Sequence, residues 1–257
     1  MKIEKYHGLG NNFLLTEYKK GIDYKEVARK LCNQKTSIGG DGLIVVKKEP
    51  LEMLIYNQDG SEAIMCGNGI RCFIHYCFYN GLLNKRRDNI EVRTKSGIYI
   101  VSIVSLLPFI TRVRFKRSLI RKEIIGIYNE EYESYFVKVG VNHNVIVIDE
   151  NNKEKINKLK NDFNKYGGFC EETNINIVEK VNDNTIKVET YERGVGLTSN
   201  CGTGSVASSL VTNYLFDCLN NINVINEYGK ISISILGNYV YMEGPSERIC
   251  SIEVNYD

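Results

Sequence analysis

A chain of 257 residues, 43% hydrophobic and 25% charged, has the material for a sizeable core in one large domain or two smaller ones. Its net charge of +2, with the signs interspersed, excludes the basic stripe of a nucleic-acid binder and the acidic tail of a solvated segment, which leaves small-molecule chemistry. No apolar run approaches the ~20 residues that span a bilayer, and the N-terminal MKIEKYHGLG has no apolar signal region, so a cytoplasmic protein off the membrane is expected.

In chain order, helical spacing covers residues 23 to 33, the run LEMLIYN reads as a strand, and a helix follows over 69 to 80. Its residues Ile70, Phe73, Ile74, Cys77 and Phe78 form a continuous apolar face, which predicts burial. Val113 and Phe115 alternate with arginines on a half-buried strand, and the charged FKRSLIRKE, residues 115 to 123, suits a boundary. A third helix is expected over 153 to 165, then a strand in TIKVETYERG where Ile186 and Val188 alternate with Lys187 and Glu189. The fourth helix, over 203 to 217, presents Ala207, Leu210, Val211, Tyr214, Leu215 and Cys218, and a strand follows in which Ile231, Ile233 and Ile235 alternate with serines. Few helices among many antiparallel strands give an α+β class. The pattern of strand, cysteine-led helix and further strands occurs twice, so the chain reads as two related halves.

The eight cysteines are Cys32, Cys66, Cys72, Cys77, Cys170, Cys201, Cys218 and Cys250, and they contain no C-x-x-C pair, which argues against a zinc ribbon; a reducing compartment argues against a disulfide framework. Cys72, Cys77 and Cys218 fall on helix faces and read as packing residues. Cys66 and Cys201 are different, because each stands directly before a Gly-x-Gly that opens an apolar helix, in MCGNGIRCF and NCGTGSVAS. A helix N-terminus offers unpaired N–H groups and partial positive charge, which stabilise a thiolate and receive a carboxylate. A thiol there can ionise in the neutral range, and the glycines let a ligand approach the backbone. Two such thiols on opposite faces of one carbon can remove a proton and return one, which is racemisation.

The stretches HGLGNNF, YNQDGSEAIMCGNGIRCF, TNINIVE and YERGVGLTSNCGTG resemble the diaminopimelate epimerase family over nearly the whole chain. The resemblance implies two similar α+β lobes, each of mainly antiparallel strands around a central helix, with the active site at their interface. The lobes would be residues 1 to 118, joined by a returning strand at 246 to 257, and 119 to 245. It further implies a cofactor-independent epimerase, with no metal and no pyridoxal phosphate, acting on a small-molecule amino-acid substrate; a second copy of the chain is a candidate partner. Cys66 and Cys201 would be the acid–base pair, and Gly67, Asn68, Gly202 and Thr203 would hold the substrate's α-carboxylate end. Asn11, Asn57, Asn174, Glu192 and Arg193 match substrate-pocket positions, and the planar fork of Arg193 suits a carboxylate. His143 matches a histidine that lies near the cysteines.

Two departures stand out. Gly140-Val141-Asn142-His143 replaces the family's Gly-Asn-Pro-His, so Val141 stands where an asparagine helps hold the far end of diaminopimelate, and Asn12 stands where aspartate is common. Valine makes no hydrogen bond, so Val141 bears on substrate identity, with histidine or lanthionine as alternative substrates. Two other classes compete: a non-catalytic anion-binding protein and a thiol redox protein. GLGNNF departs from G-x-G-x-x-G and no P-loop occurs, which weakens the first.

Overall fold

Strands with one apolar face need a partner layer, and helices apolar on every side need enclosure; the computed structural model meets both demands twice. It describes residues 1–84, 87–166, 173–192, 196–198, 200–217 and 220–255. The chain divides into two units, one of Met1–Arg114 with Glu243–Asp257, the other of Phe115–Met242.

The first unit begins with β1 (Lys2–Gly8), β2 (Asn11–Glu17), α1 (Tyr24–Leu31), β3 (Gly42–Lys47), β4 (Glu52–Asn57), β5 (Glu62–Ala63) and α2 (Gly67–Tyr79). β6 (Ile90–Thr94), β7 (Gly97–Leu106) and β8 (Phe109–Lys116) follow. β1 pairs antiparallel with β2, β2 runs parallel to β3, β3 pairs antiparallel with β4, and β4 lies parallel to β6, itself antiparallel to β7.

The second unit repeats this connectivity with β9 (Ile120–Ile127), β10 (Glu130–Val139), β11 (Val141–Val147), α3 (Lys153–Tyr166), β12 (Asn174–Asn182), β13 (Thr185–Glu192), β14 (Gly196–Thr198), α4 (Gly202–Phe216), β15 (Asn221–Asn226), β16 (Gly229–Leu236) and β17 (Tyr239–Pro245). β10 and β11 are antiparallel, β11 and β12 parallel, β12 and β13 antiparallel, β13 and β15 parallel, β15 and β16 antiparallel. The last strand, β18 (Glu247–Glu253), pairs with β1 of the first unit.

Strand side chains alternate between faces, so each sheet serves two helices. Leu14, Leu43 and Val45 join Val27, Ala28 and Leu31 of α1 in one core cluster, and Ile146, Ile175 and Ile177 join Ile156, Leu159 and Phe163 of α3 in another. The intervening residues turn to the opposite face, where α2 lies on β1 to β4 and β18, and α4 lies on β10 to β13, β15 and β16. Every residue of α2 from Gly67 to Ile74, and of α4 from Gly202 to Thr212, is buried. Such a helix has stability only inside its wrapping of strands.

The four helices lie within two residues of their expected bounds. The apolar face expected for α4 ends early: Tyr214 is 64% exposed and meets Tyr135 edge-on, a ring with an apolar body and a hydroxyl that favours water. Cys170 and Cys218 lie outside the described residues.

Candidate active site

Sequence places each key cysteine one residue before its helix, and the backbone makes both of them N-caps. Cys66 is extended (φ −142°, ψ 119°) and its Sγ accepts the Gly69 N–H at 3.3 Å. Cys201 is likewise extended (φ −119°, ψ 112°) and its Sγ accepts the Gly204 N–H at 3.4 Å. Sulfur therefore occupies the position usually held by a Ser, Thr, Asp or Asn oxygen, and the positive end of each helix favours its ionised form.

Around Cys66 the first unit gathers a polar group from the β1–β2 turn. Asn11 Oδ1 lies 3.9 Å from Cys66 Sγ and accepts from Asn68 Nδ2 at 3.3 Å. Asn11 is itself held, because its Nδ2 donates to Asp41 Oδ2 at 2.8 Å, and the same oxygen takes the Asn12 N–H at 2.6 Å. The β1–β2 turn passes through Leu9 at φ 55° and Gly10 at φ 85°, and the Gly10 N–H donates to His7 Nδ1. Asn57 ends β4 opposite Gly42 and its Nδ2 donates to Ser61 Oγ at 2.9 Å.

Around Cys201 the second unit gathers Thr203 and His143. Thr203 Oγ1 is 3.5 Å from Cys201 Sγ and 3.0 Å from His143 Nε2. His143 is wholly buried, and burial pushes its pKa down to about 3 against the opposing hydrogen bond with Asn176, so the ring is neutral. Asn174 opens β12 opposite His143, and Glu192 closes β13 with its carboxylate accepting from Thr198 Oγ1 at 3.0 Å. Val141 is the half-buried first residue of β11. Arg193 lies outside the described residues.

Four residues of these half-sites were not singled out in the sequence: Asp41, Arg71, Asn176 and Thr190. Arg71 is the largest of the wholly buried side chains. Its Nε donates to Pro245 O at 3.1 Å, and its two terminal nitrogens have no hydrogen-bond partner among the described residues. β-carbons at Gly8 and Gly244 would stand 2.9 Å from Arg71 Nη2 and 3.2 Å from its Cζ, so both glycines make room for the guanidinium. A cation inside an otherwise apolar helix was the available signal in IRCFIHYCF. His75 on the same helix stacks on Phe109 at 3.9 Å and meets Ser246 Oγ at 3.2 Å, a packing role. Among the described residues no group of three or more His, Cys, Asp or Glu side chains could hold a metal ion.

The fold and the sequence define an isomerase of the racemase and epimerase class. A probable proline racemase from Agrobacterium radiobacter shares the fold with a TM-score of 0.72 at 11% identity, covering 100% of this chain and 93% of the other. The diaminopimelate epimerase from Methanocella arvoryzae is 36% identical, over 100% of this chain and 98% of its own. That from Caldanaerobacter subterraneus subsp. tengcongensis is 33% identical, over 99% of both. The family profile of diaminopimelate epimerase matches residues 3–105 and 135–249, and the chain belongs to this family.

Proposed function

We propose that the protein epimerises diaminopimelate at its α-carbon without pyridoxal phosphate or metal, with Cys66 and Cys201 as the proton-transfer groups. The observation that carries this reading is the matched geometry of the two thiols, each an N-cap whose sulfur takes the N–H three residues on.

At any moment one cysteine is a thiolate and the other a thiol. The thiolate takes the α-proton, so an S–H bond forms as the C–H bond breaks and the electron pair remains on the α-carbon and its carboxylate. The thiol then gives its proton to the opposite face of that carbon, and turnover leaves the two protonation states exchanged. The first-turn N–H groups of Gly67, Asn68, Gly202 and Thr203 are the proposed carboxylate holders, since helix N-termini stabilise the charge that builds there. Asn11, which meets both Cys66 and Asn68, would orient substrate on the Cys66 side. Both thiols must stay reduced, which fits a cytoplasmic protein.

Val141 supports a second substrate reading, the same chemistry on another polar amino acid, because its half-buried side chain offers no hydrogen bond. The reduced protein, dialysed against chelator and a carbonyl-trapping reagent, should convert LL-diaminopimelate to the meso form. In D2O the product should carry deuterium at the α-carbon. No exchange into diaminopimelate, lanthionine or histidine would overturn the reading.

A further inference from the structure

We infer that Asn176 fixes the tautomer of His143 and thereby aims the Thr203 hydroxyl hydrogen at the Cys201 sulfur, which makes Asn176 a positioning residue for that thiol. Its functional consequence rests on the two-thiol reading above.

The direction of each bond follows from what the end of the chain can accept. Asn176 Nδ2 lies 3.4 Å from the Asn144 carbonyl oxygen and 3.0 Å from His143 Nδ1. A carbonyl oxygen only accepts, so the amide end facing it is the NH2 group, and the other end, Oδ1, accepts the Thr190 hydroxyl at 3.0 Å. The NH2 group therefore donates to His143 Nδ1, which must carry no proton. A neutral imidazole has one proton, and burial keeps this one neutral, so the proton is on Nε2. Nε2 donates to Thr203 Oγ1 at 3.0 Å, and the Thr203 hydrogen is left to point at Cys201 Sγ, 3.5 Å away. A hydrogen bond to the sulfur favours its thiolate.

This polar line is not a requirement of the fold. Strand register makes Phe13, Ile44 and Ile55 of the first unit the counterparts of His143, Asn176 and Thr190. The close neighbour of Gly69 is accordingly Ile44 Cδ1, where that of Gly204 is Asn176 Oδ1. The same place beneath the first helical turn is apolar in one unit and hydrogen-bonded in the other. The two thiols therefore have different support at this place, Ile44 and Ile55 beneath Cys66 and the Thr190–Asn176–His143–Thr203 line beneath Cys201.

The chain has three histidines, so nitrogen-15 NMR of the histidine-labelled full-length protein reads the ring directly. In the wild type at neutral pH, His143 should show a protonated Nε2 and a bare Nδ1. Asn176→Asp replaces the donor with an acceptor of the same size, so the proton should move to Nδ1, Nε2 should take the Thr203 hydrogen, and Cys201 should lose the Thr203 hydroxyl as a donor while keeping the Gly204 N–H. Loss of a hydrogen bond to a charged sulfur should lower epimerisation kcat about 10- to 100-fold with KM nearly unchanged, and should slow iodoacetamide at Cys201 but not at Cys66. A buried carboxylate would also disfavour a nearby thiolate, so the ring nitrogens decide the matter. A wild-type His143 that is protonated on Nδ1, or on both nitrogens, would overturn the inference even if the variant failed to fold. So would an unchanged tautomer in a folded Asn176→Asp protein. The expected tautomers in a wild type without α-proton exchange would support the positioning and fault the two-thiol reading instead.

Discussion

Gly204 sits directly on the side chain of Asn176, so that a β-carbon at 204 would stand 2.3 Å from Asn176 Oδ1. Thr190 Oγ1, which bonds that oxygen, would be 3.0 Å away. Neither neighbour can retreat without breaking a buried hydrogen bond. Gly204→Ala should destabilise the protein by about 1–3 kcal/mol, as overpacking does in a filled core. Gly69→Ala should cost less, because the atom closest to its β-carbon would be the rotatable tip of Ile44 at 3.1 Å, with Cys66 Cβ next at 3.3 Å, as Cys201 Cβ is at Gly204. Urea unfolding of the two variants tests the order; equal losses would contradict it.

Two histidines make stability depend on pH in a defined window. Burial lowers His143 to about 3 and His75 to about 4, both below the ordinary value of 6.5. Above 6.5 they are neutral in both states and their contribution is complete. As pH falls below 6.5 the unfolded chain takes up protons that the folded chain refuses, so stability drops until about 4 for His75 and about 3 for His143. For the wholly buried His143 the slope in that window is about 1.4 kcal/mol per pH unit, one proton's worth. His143→Gln should remove that share of the slope in unfolding free energy measured between pH ~6 and ~4.5.

Native thiol labelling should sort the cysteines by burial. Burial pushes the Cys32 and Cys72 thiols up to about 12 and raises Cys77 as well, so all three remain protonated and enclosed. Iodoacetamide at about pH 8 should modify Cys66 while leaving these three intact until the protein unfolds. Peptide mass spectrometry would show it, and early loss of Cys72 or Cys77 would mean that α2 is not enclosed as described.

The period of the apolar residues made all four helices legible, and the repeated Cys-Gly-x-Gly junction made both N-caps so. Periodicity reports one face of one element, so it gave no sign of Asp41, Asn176 or Thr190, and Asn11, His143 and Thr203 came from the family resemblance alone. Asn176 lies in TNINIVE between isoleucines that face α3, and only pairing with β11 and β13 brings it to His143 and Thr190. Arg71 was visible as a charge in an apolar helix, but its enclosure depends on Gly8 and Gly244, a long way off in the chain. The duplication was likewise readable as two cysteine-led helices, whereas its extent, down to the parallel β2–β3 and β11–β12 pairs, required the register. Tyr214 fitted the helical period and is exposed, because period alone does not say where the wrapping of strands ends.

Val141 tests substrate identity. Val141→Asn restores a hydrogen-bonding group at a half-buried position, and should raise kcat/KM for LL-diaminopimelate about tenfold while leaving histidine unchanged. Steady-state kinetics on both proteins with both amino acids checks this. Efficient wild-type turnover of diaminopimelate, unaffected by the substitution, would remove Val141 from the specificity argument.

If Cys66 and Cys201 divide the proton transfer between them, single substitutions assayed in D2O show it most directly. Serine keeps the N-cap geometry but is a far weaker acid than cysteine. Cys66→Ser and Cys201→Ser should each unfold within a degree or so of the wild type, since both retain a capping side chain, and each should lose at least about a thousandfold in epimerisation. The measurement is the rate at which deuterium enters the α-carbon of LL-diaminopimelate with inversion, for the wild type and both variants. Rapid inversion with deuterium is expected in the wild type and none in either folded variant. Near-normal inversion in either variant would contradict that division of the transfer.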